Sequence, residues 1–310
     1  MSRVVTVGEA LDVQGMRPGT GGAELNVAIG LARLGAPVTW LGRVGDDEAG
    51  RRIAAILQAE GVDARVIVDP VAPTGMLRKT SPSPGRTEIE YHRAGSAGSR
   101  LAPTDLDGIA LGPGDILHLT GITPALSATA RATVEHALDL AEAAGATISY
   151  DVNHRSRLWD AAEAIPVHRA IATRAHLLFA GLDEARLLVG GAGDALETLA
   201  ALGPAEVVLK RGTSAVYALA DGVRFVQPAM QVDVVDTVGA GDAFAAGYLA
   251  ERLAGLGVPE RLATAVRTGA VACTHAGDWE GAPTRAELAS FADRPYPDAE
   301  PAEDGDPVIR

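Results

Sequence analysis

The sequence predicts an α/β protein: a three-layer α/β/α body around a central, mostly parallel sheet, with a small β-sheet lid set apart from it. Three observations carry that expectation. From Leu101 onward, short apolar β-type runs alternate with helix-spaced stretches, the pattern of parallel strands joined by right-handed crossovers. From Val62 to Arg100 the pattern changes to short β-rich pieces broken by Pro70, Pro73, Pro82, Pro84 and Gly85, as a small separate sheet would be. A third stretch, Gln231-Val232-Asp233-Val234-Val235 followed by Asp236-Thr237-Val238-Gly239-Ala240-Gly241-Asp242-Ala243-Phe244, reads as strand, glycine turn and buried helix start.

Taken in order, Val4 to Glu9 is a β-branched run ended by glycine, a first buried strand, with Asp12 just beyond it. Gly19-Thr20-Gly21-Gly22-Ala23-Glu24-Leu25-Asn26 leads into a helix-like run from Val27 that Gly35 closes. Val38 to Asp47 gives a strand and a turn, then a helix from about Glu48 to Glu60 ending at Gly61. In the lid, Tyr91 and Arg93 share one face of a strand, because side chains alternate. A phenol and a guanidinium on one face suit a polar acid; an exposed cross-strand face is the alternative.

Asp115 to Ile122 reads as a strand, Ser127 to Ala144 as a helix ending at Gly145, and Ala146 to Asp151 as the next strand. The polar string Asp151-Val152-Asn153-His154-Arg155-Ser156-Arg157 then stands at a strand's carboxyl end, where parallel sheets bind ligands. Ala175 to Glu184 gives a further strand and helix start, and Glu206 to Ala215 a buried strand with a glycine turn. Leu262 to Thr274 is an apolar helix ending near Gly277. These elements make one domain over residues 1–293, its lid formed from about 10–20 and 62–100. The Pro-, Asp- and Glu-rich residues 294–310 read as a disordered tail.

Formal net charge is −13, so an acidic surface argues against nucleic acid or an anionic membrane as partner. The lone Cys273 cannot form an internal disulfide and reads as a small buried hydrophobe. The first residues, Met1-Ser2-Arg3-Val4-Val5, lack a signal-peptide apolar core, and no apolar run reaches membrane-spanning length. A cytoplasmic protein is expected.

The chemistry converges on the glycine turn. Gly239 and Gly241 carry no Cβ, so backbone amides can close on a ligand, and the helix that follows directs its N–H groups and positive dipole end to the same place. Phosphate is the natural guest. A carboxylate beside such a site, Asp242, raises the cost of binding an anion unless it acts as a base toward a hydroxyl; a plain helix cap is the alternative.

The string from Asp236 to Phe244 resembles the C-terminal signature of the ribokinase-like (PfkB family) carbohydrate kinases, and the Gly-Gly pair before Asn26 looks like the N-terminal one. Tyr91-x-Arg93 before Gly-Ser-Ala, and Asp151-x-Asn153-x-Arg155 before Leu-Trp, resemble the 2-keto-3-deoxygluconate kinases of that family. The resemblance spans about Val4 to Thr284. It implies a ribokinase-like fold, ATP and Mg²⁺ as cofactors with a monovalent cation also admitted, and a homodimer formed through the lid. It makes Asp242 the base and Gly239, Ala240 and Gly241 the anion hole. Asp12, Gly21, Gly22, Asn26, Tyr91, Arg93 and Arg155 become substrate-binding, with Asp151 and Asn153 near metal or phosphate and Arg157 beside them. Lys210, Gly212 and Thr213 become nucleotide-binding, and Glu184 holds the metal through water. Gly181 departs from the family's Asn at that last site. The expected reaction is phosphorylation of a sugar acid, with fructose or ribose as runner-up and a non-catalytic sugar or nucleotide sensor as the alternative of another class.

Overall fold

A computed structural model describes residues 2–15, 18–83, 86–191 and 193–291; the expected tail lies outside them. The chain begins with β1 (Val4–Val7), β2 (Leu11–Gln14), β3 (Gly19–Gly21), α1 (Ala23–Arg33), β4 (Val38–Gly45), α2 (Glu48–Ala59) and β5 (Asp63–Asp69). After β6 (Gly75–Ser83) and β7 (Arg86–His92) come β8 (Ile116–Thr120), α3 (Thr123–Leu126), α4 (Ala128–Ala144), β9 (Thr147–Asp151), α5 (Ala161–Arg174), β10 (Leu177–Gly181) and α6 (Leu182–Val189). The last part holds α7 (Ala195–Ala200), β11 (Glu206–Lys210), β12 (Ala215–Ala220), β13 (Val223–Pro228), α8 (Ala240–Leu253), α9 (Val258–Cys273) and α10 (Arg285–Phe291).

The large sheet has nine strands in the order β13-β12-β11-β10-β9-β8-β1-β4-β5. Strands β5 to β11 along that order run parallel, and β12 pairs antiparallel with both β11 and β13. Its side chains alternate between two cores, which is what three layers require. On one face Leu177, Phe179 and Val208 pack with Leu25 and Ile29 of α1 and Tyr248 and Leu249 of α8. On the other, Leu178, Ala180 and Val207 pack with Val134 and Leu138 of α4 and Ile171 of α5. A second sheet of four strands, β3-β2-β6-β7, is the expected lid.

Two readings of the sequence need correction. The segment 62–74 does not belong to the lid: β5 pairs with β4 from Asp63 against Thr39 to Asp69 against Gly45, as an edge strand of the large sheet, so the lid's second part starts at Gly75. Edge strands alternate like lid strands, so the local pattern does not separate the two. The run Gln231 to Val235 is not a strand. Val234 and Val235 are exposed, and the amides of Val235 and Asp236 donate to the carbonyl of Cys273 at the end of α9, at 2.8 and 3.2 Å, instead of to a sheet neighbour.

Candidate active site

The carboxyl ends of the parallel strands carry the polar residues. Asp151 ends β9 and Lys210 ends β11, and Lys210 Nζ donates to Asp151 Oδ2 at 2.8 Å across the end of β10. Burial opposes the charge on Lys210, but the carboxylates of Asp151 and Glu184 outweigh it and raise its pKa. Beside them, Gly239 caps α8 with φ 74°; a Cβ there would lie 1.6 Å from the carbonyl oxygen of Asp278, so the turn admits only glycine. Ala240, Gly241 and Asp242 form the first turn of α8, whose N–H groups have no intrahelical acceptor. A Cβ on Gly241 would stand 3.9 Å from Lys210 Nζ, so the ammonium and the open helix end face one space.

Asp242 does not cap its own helix. Its Oδ2 accepts a hydrogen bond from Asn26 Nδ2 of α1 at 2.8 Å, and α8 has no side-chain cap. Burial pushes its carboxyl up to about 7, against the Asn26 hydrogen bond and the positive field of Arg155; Asp151 adds to the rise and Lys210 opposes it. Asn26 Oδ1 is buried without a partner, an acceptor left for a hydroxyl. Gly22, at φ 135°, precedes α1, and a Cβ would meet the Glu9 carbonyl at 2.4 Å. Gly21 is backed by Asp278: a Cβ would sit 2.1 Å from its Oδ2.

The loop after β9 is held from below. Tyr150 Oη and His168 Nδ1 are 2.6 Å apart, His168 Nε2 and His154 Nδ1 3.3 Å, and Trp159 packs edge-on to His168. Burial drops His168 to about 4, so it is neutral at pH 7 and bridges both partners. Asn153 takes a left-handed φ of 38°, and two residues on the exposed Arg155 is near enough for its charge to act on Asp242. Arg157 is also exposed.

Three expected residues are engaged by neighbours in the chain. Asp12 accepts from Gln14 and is paired with Arg52 of α2, lining a cavity of about 530 Å³ with Asp47, Glu48, Thr74 and His92, to which no other expected site residue contributes. Arg93 is buried and its Nη1 is taken by Glu9; its guanidinium stacks on the half-exposed Tyr91 ring at 3.9 Å. Glu184 closes the N-terminus of α6, its two oxygens accepting from the amides of Gly181 at 2.6 Å and His154 at 2.9 Å. Gly212, at φ 59°, and Thr213 lie in an exposed turn between β11 and β12.

Among the described residues no group of three or more His, Cys, Asp or Glu side chains is arranged to hold a metal. Asp151 Oδ1, buried and without a hydrogen-bond partner, and the carboxylate of Glu184 nevertheless offer hard oxygen donors that suit a cation retaining most of its water. Sequence reasoning missed Asp278, whose side chain is paired with Lys79 of the lid, and the buried acids Glu9 and Glu24.

A family model described as pfkB family carbohydrate kinase matches residues 3–285. The 2-dehydro-3-deoxygluconokinase of Bacillus subtilis (strain 168) is 36% identical over 293 residues, which cover 90% of this chain and 88% of that one. The crystal structure of a PfkB protein from Polaromonas sp. JS666 superposes with a TM-score of 0.82 at 34% identity, covering 94% of this chain and 100% of that one. A fructokinase from Vibrio cholerae O395 with fructose, ADP and calcium ion bound superposes with a TM-score of 0.85 at 26% identity, covering 94% and 99%. No helix among the described residues is long and apolar enough to cross a membrane.

Proposed function

The chain belongs to the pfkB family of carbohydrate kinases, and on that footing we propose that it transfers the γ-phosphoryl group of ATP to a primary hydroxyl of 2-keto-3-deoxygluconate. The single observation that carries the reading is Asp242: a half-buried carboxylate, aligned by Asn26, at the open amide end of α8. The name of the Bacillus subtilis relative supports the acid as substrate, and the ADP and calcium of the fructokinase support a nucleotide with a divalent cation.

In this mechanism ionised Asp242 accepts the proton of the attacking hydroxyl. Asn26 keeps the carboxylate turned toward that hydroxyl and offers Oδ1 to a neighbouring one. The first-turn amides of α8 and the Lys210 ammonium receive charge on the transferred group, since positioning and electrostatics dominate phosphoryl transfer. ATP with Mg²⁺ supplies the phosphoryl group and further neutralises its charge. Asp151 and Glu184 would hold the cation through water, with Gly212 and Thr213 on the nucleotide side. Arg155, and Arg93 with Tyr91 in the lid, would receive the sugar and its carboxylate. The same reading includes a homodimer joined through the lid, whose edge strand β7 carries the half-exposed Tyr91; elution at the monomer mass in size-exclusion chromatography removes that part.

A neutral sugar such as fructose is the second reading, favoured by one observation: Arg93 is already paired with Glu9. ATP consumption measured across keto-deoxy acids, hexoses, pentoses and nucleosides separates the readings. The highest kcat/KM is expected for 2-keto-3-deoxygluconate; a preference for fructose or ribose overturns the substrate, and no turnover with any of them favours a non-catalytic sensor.

A further inference from the structure

Two acids are buried behind the glycines that open α1. Glu9 is 2% exposed and Glu24 0%, so neither is solvated, and Glu9 is paired with the guanidinium of Arg93. Glu24 is held through Oε1 by the hydroxyls of Thr120 and Thr123, each at 2.7 Å, and Glu9 through Oε1 by Arg93 Nη1. Each carboxyl keeps its second oxygen, Oε2, buried with no partner, and Arg93 keeps Nε buried in the same state. The charged groups facing Glu9 are Arg93, from beyond β7, and Glu24, from α1. Of the 3₁₀ turn Gly98–Arg100, Gly98 lies against Glu9, where a Cβ would come within 3.0 Å of Glu9 Cβ, and the chain before α1 brings Gly22 to the Glu9 carbonyl. Tyr91 covers the face of the guanidinium at 3.9 Å. Burial pushes Glu9 up to about 7 against the attraction of Arg93, with Glu24 adding to the rise.

We infer that Glu9 is the proton-accepting counter-ion of Arg93: when the carboxylate of an acidic sugar comes onto the Nε side of that guanidinium, Glu9 takes a proton from solvent and releases its hold on the positive charge. The inference rests on the sugar-acid reading above. Two ionised carboxylates on one buried guanidinium leave an uncompensated negative charge in a low-dielectric site, and protonating the inner one removes it. A neutral sugar brings no charge and leaves the Glu9–Arg93 pair as it stands. Glu9 is thus a positioning residue that lets one arginine remain compensated when the site is empty and serve an anion when it is full. Proton uptake on binding makes affinity for the acid fall with rising pH, by up to about tenfold per unit above about 7, and leaves it level below.

The test is calorimetric titration of the wild-type enzyme with 2-keto-3-deoxygluconate at pH 8, in two buffers of different ionisation enthalpy. Uptake approaching one proton per acid bound is expected, together with a break near pH 7 in the dependence of KM. In Glu9→Gln, whose amide oxygen still accepts from Arg93, the uptake and the break should vanish. Uptake that persists in Glu9→Gln overturns the inference, as does turnover of the acid with no uptake in wild type. Should Glu9→Gln fail to fold, the wild-type KM profile decides: a flat line from pH 6 to 9 overturns the inference, and a tenfold-per-unit rise above 7 upholds it. Absence of both binding and turnover of the acid overturns the substrate reading instead, and this inference with it.

Discussion

As the proposed base, Asp242 must be ionised to act, and it is buried enough to resist ionising. Its carboxyl is raised to about 7, so the ionised base is fully present above that pH and is lost as pH falls through it; kcat should climb roughly tenfold per unit below pH 7 and level off above. An acid limb near the ordinary carboxylate range would contradict the assignment. Asp242→Asn is expected to lower kcat by about 10² to 10⁴ with nucleotide affinity retained, as read by single-turnover kinetics and nucleotide titration. Asn26→Ala removes a donor that favours the ionised form, so the acid limb should move to higher pH; an unmoved limb would show that Asn26 does not set the ionisation. At this scale the sequence was informative where function forces an odd choice, such as a carboxylate beside an anion cradle or a glycine pair before an asparagine. It was silent on Glu9, Glu24 and Asp278. Each is a lone acid near a helix or turn, and an acid there has an ordinary capping reading; only burial, which depends on segments distant in the chain, sets them apart.

Helices α1 and α8 bring Asn26 and Asp242 together, and they do so by close approach. A Cβ on Gly30 of α1 would lie 2.7 Å from Ala246 Cβ of α8, so the backbones meet where both side chains are minimal. Gly30→Val should wedge the pair apart, costing about 1 to 3 kcal/mol in urea unfolding. It should also shift the acid limb upward as Asn26→Ala does, although it touches no reactive atom. Stability loss with an unchanged pH profile would mean that the hydrogen bond survives the wedge. Most elements were legible because periodicity reports burial on one face: α2, α4, β9 and β10 fall within a few residues of expectation. The failures have a common cause. β5, the 231–235 segment and the unforeseen hairpin β12–β13 differ in what lies beside them, not in their own pattern. The hairpin did carry a local signal, Asp221-Gly222, both with positive φ at 49° and 74°, the dipeptide of a tight turn.

For the molecule as a whole, buried acids set how stability varies with pH. Glu9 is raised from 4.5 to about 7, so between those values the folded state holds a proton that the unfolded state has lost. Its contribution is therefore greatest near and below pH 4.5 and declines as pH rises toward 7, by roughly 3 kcal/mol at most. Wild type should lose unfolding free energy between about pH 4.5 and 7, and Glu9→Gln should lose less; parallel curves would show that Glu9 ionises as freely folded as unfolded. Asp278 joins the two halves of the fold: its carbonyl presses on Gly239, and its carboxylate grips Lys79 on the smaller sheet. Any outward swing of that sheet tugs on the residue against which the phosphate turn is folded. Severing that strap with Lys79→Ala is therefore expected to loosen the glycine turn from a distance, read as weaker nucleotide binding; unchanged binding would show that Asp278 keeps its place without the smaller sheet.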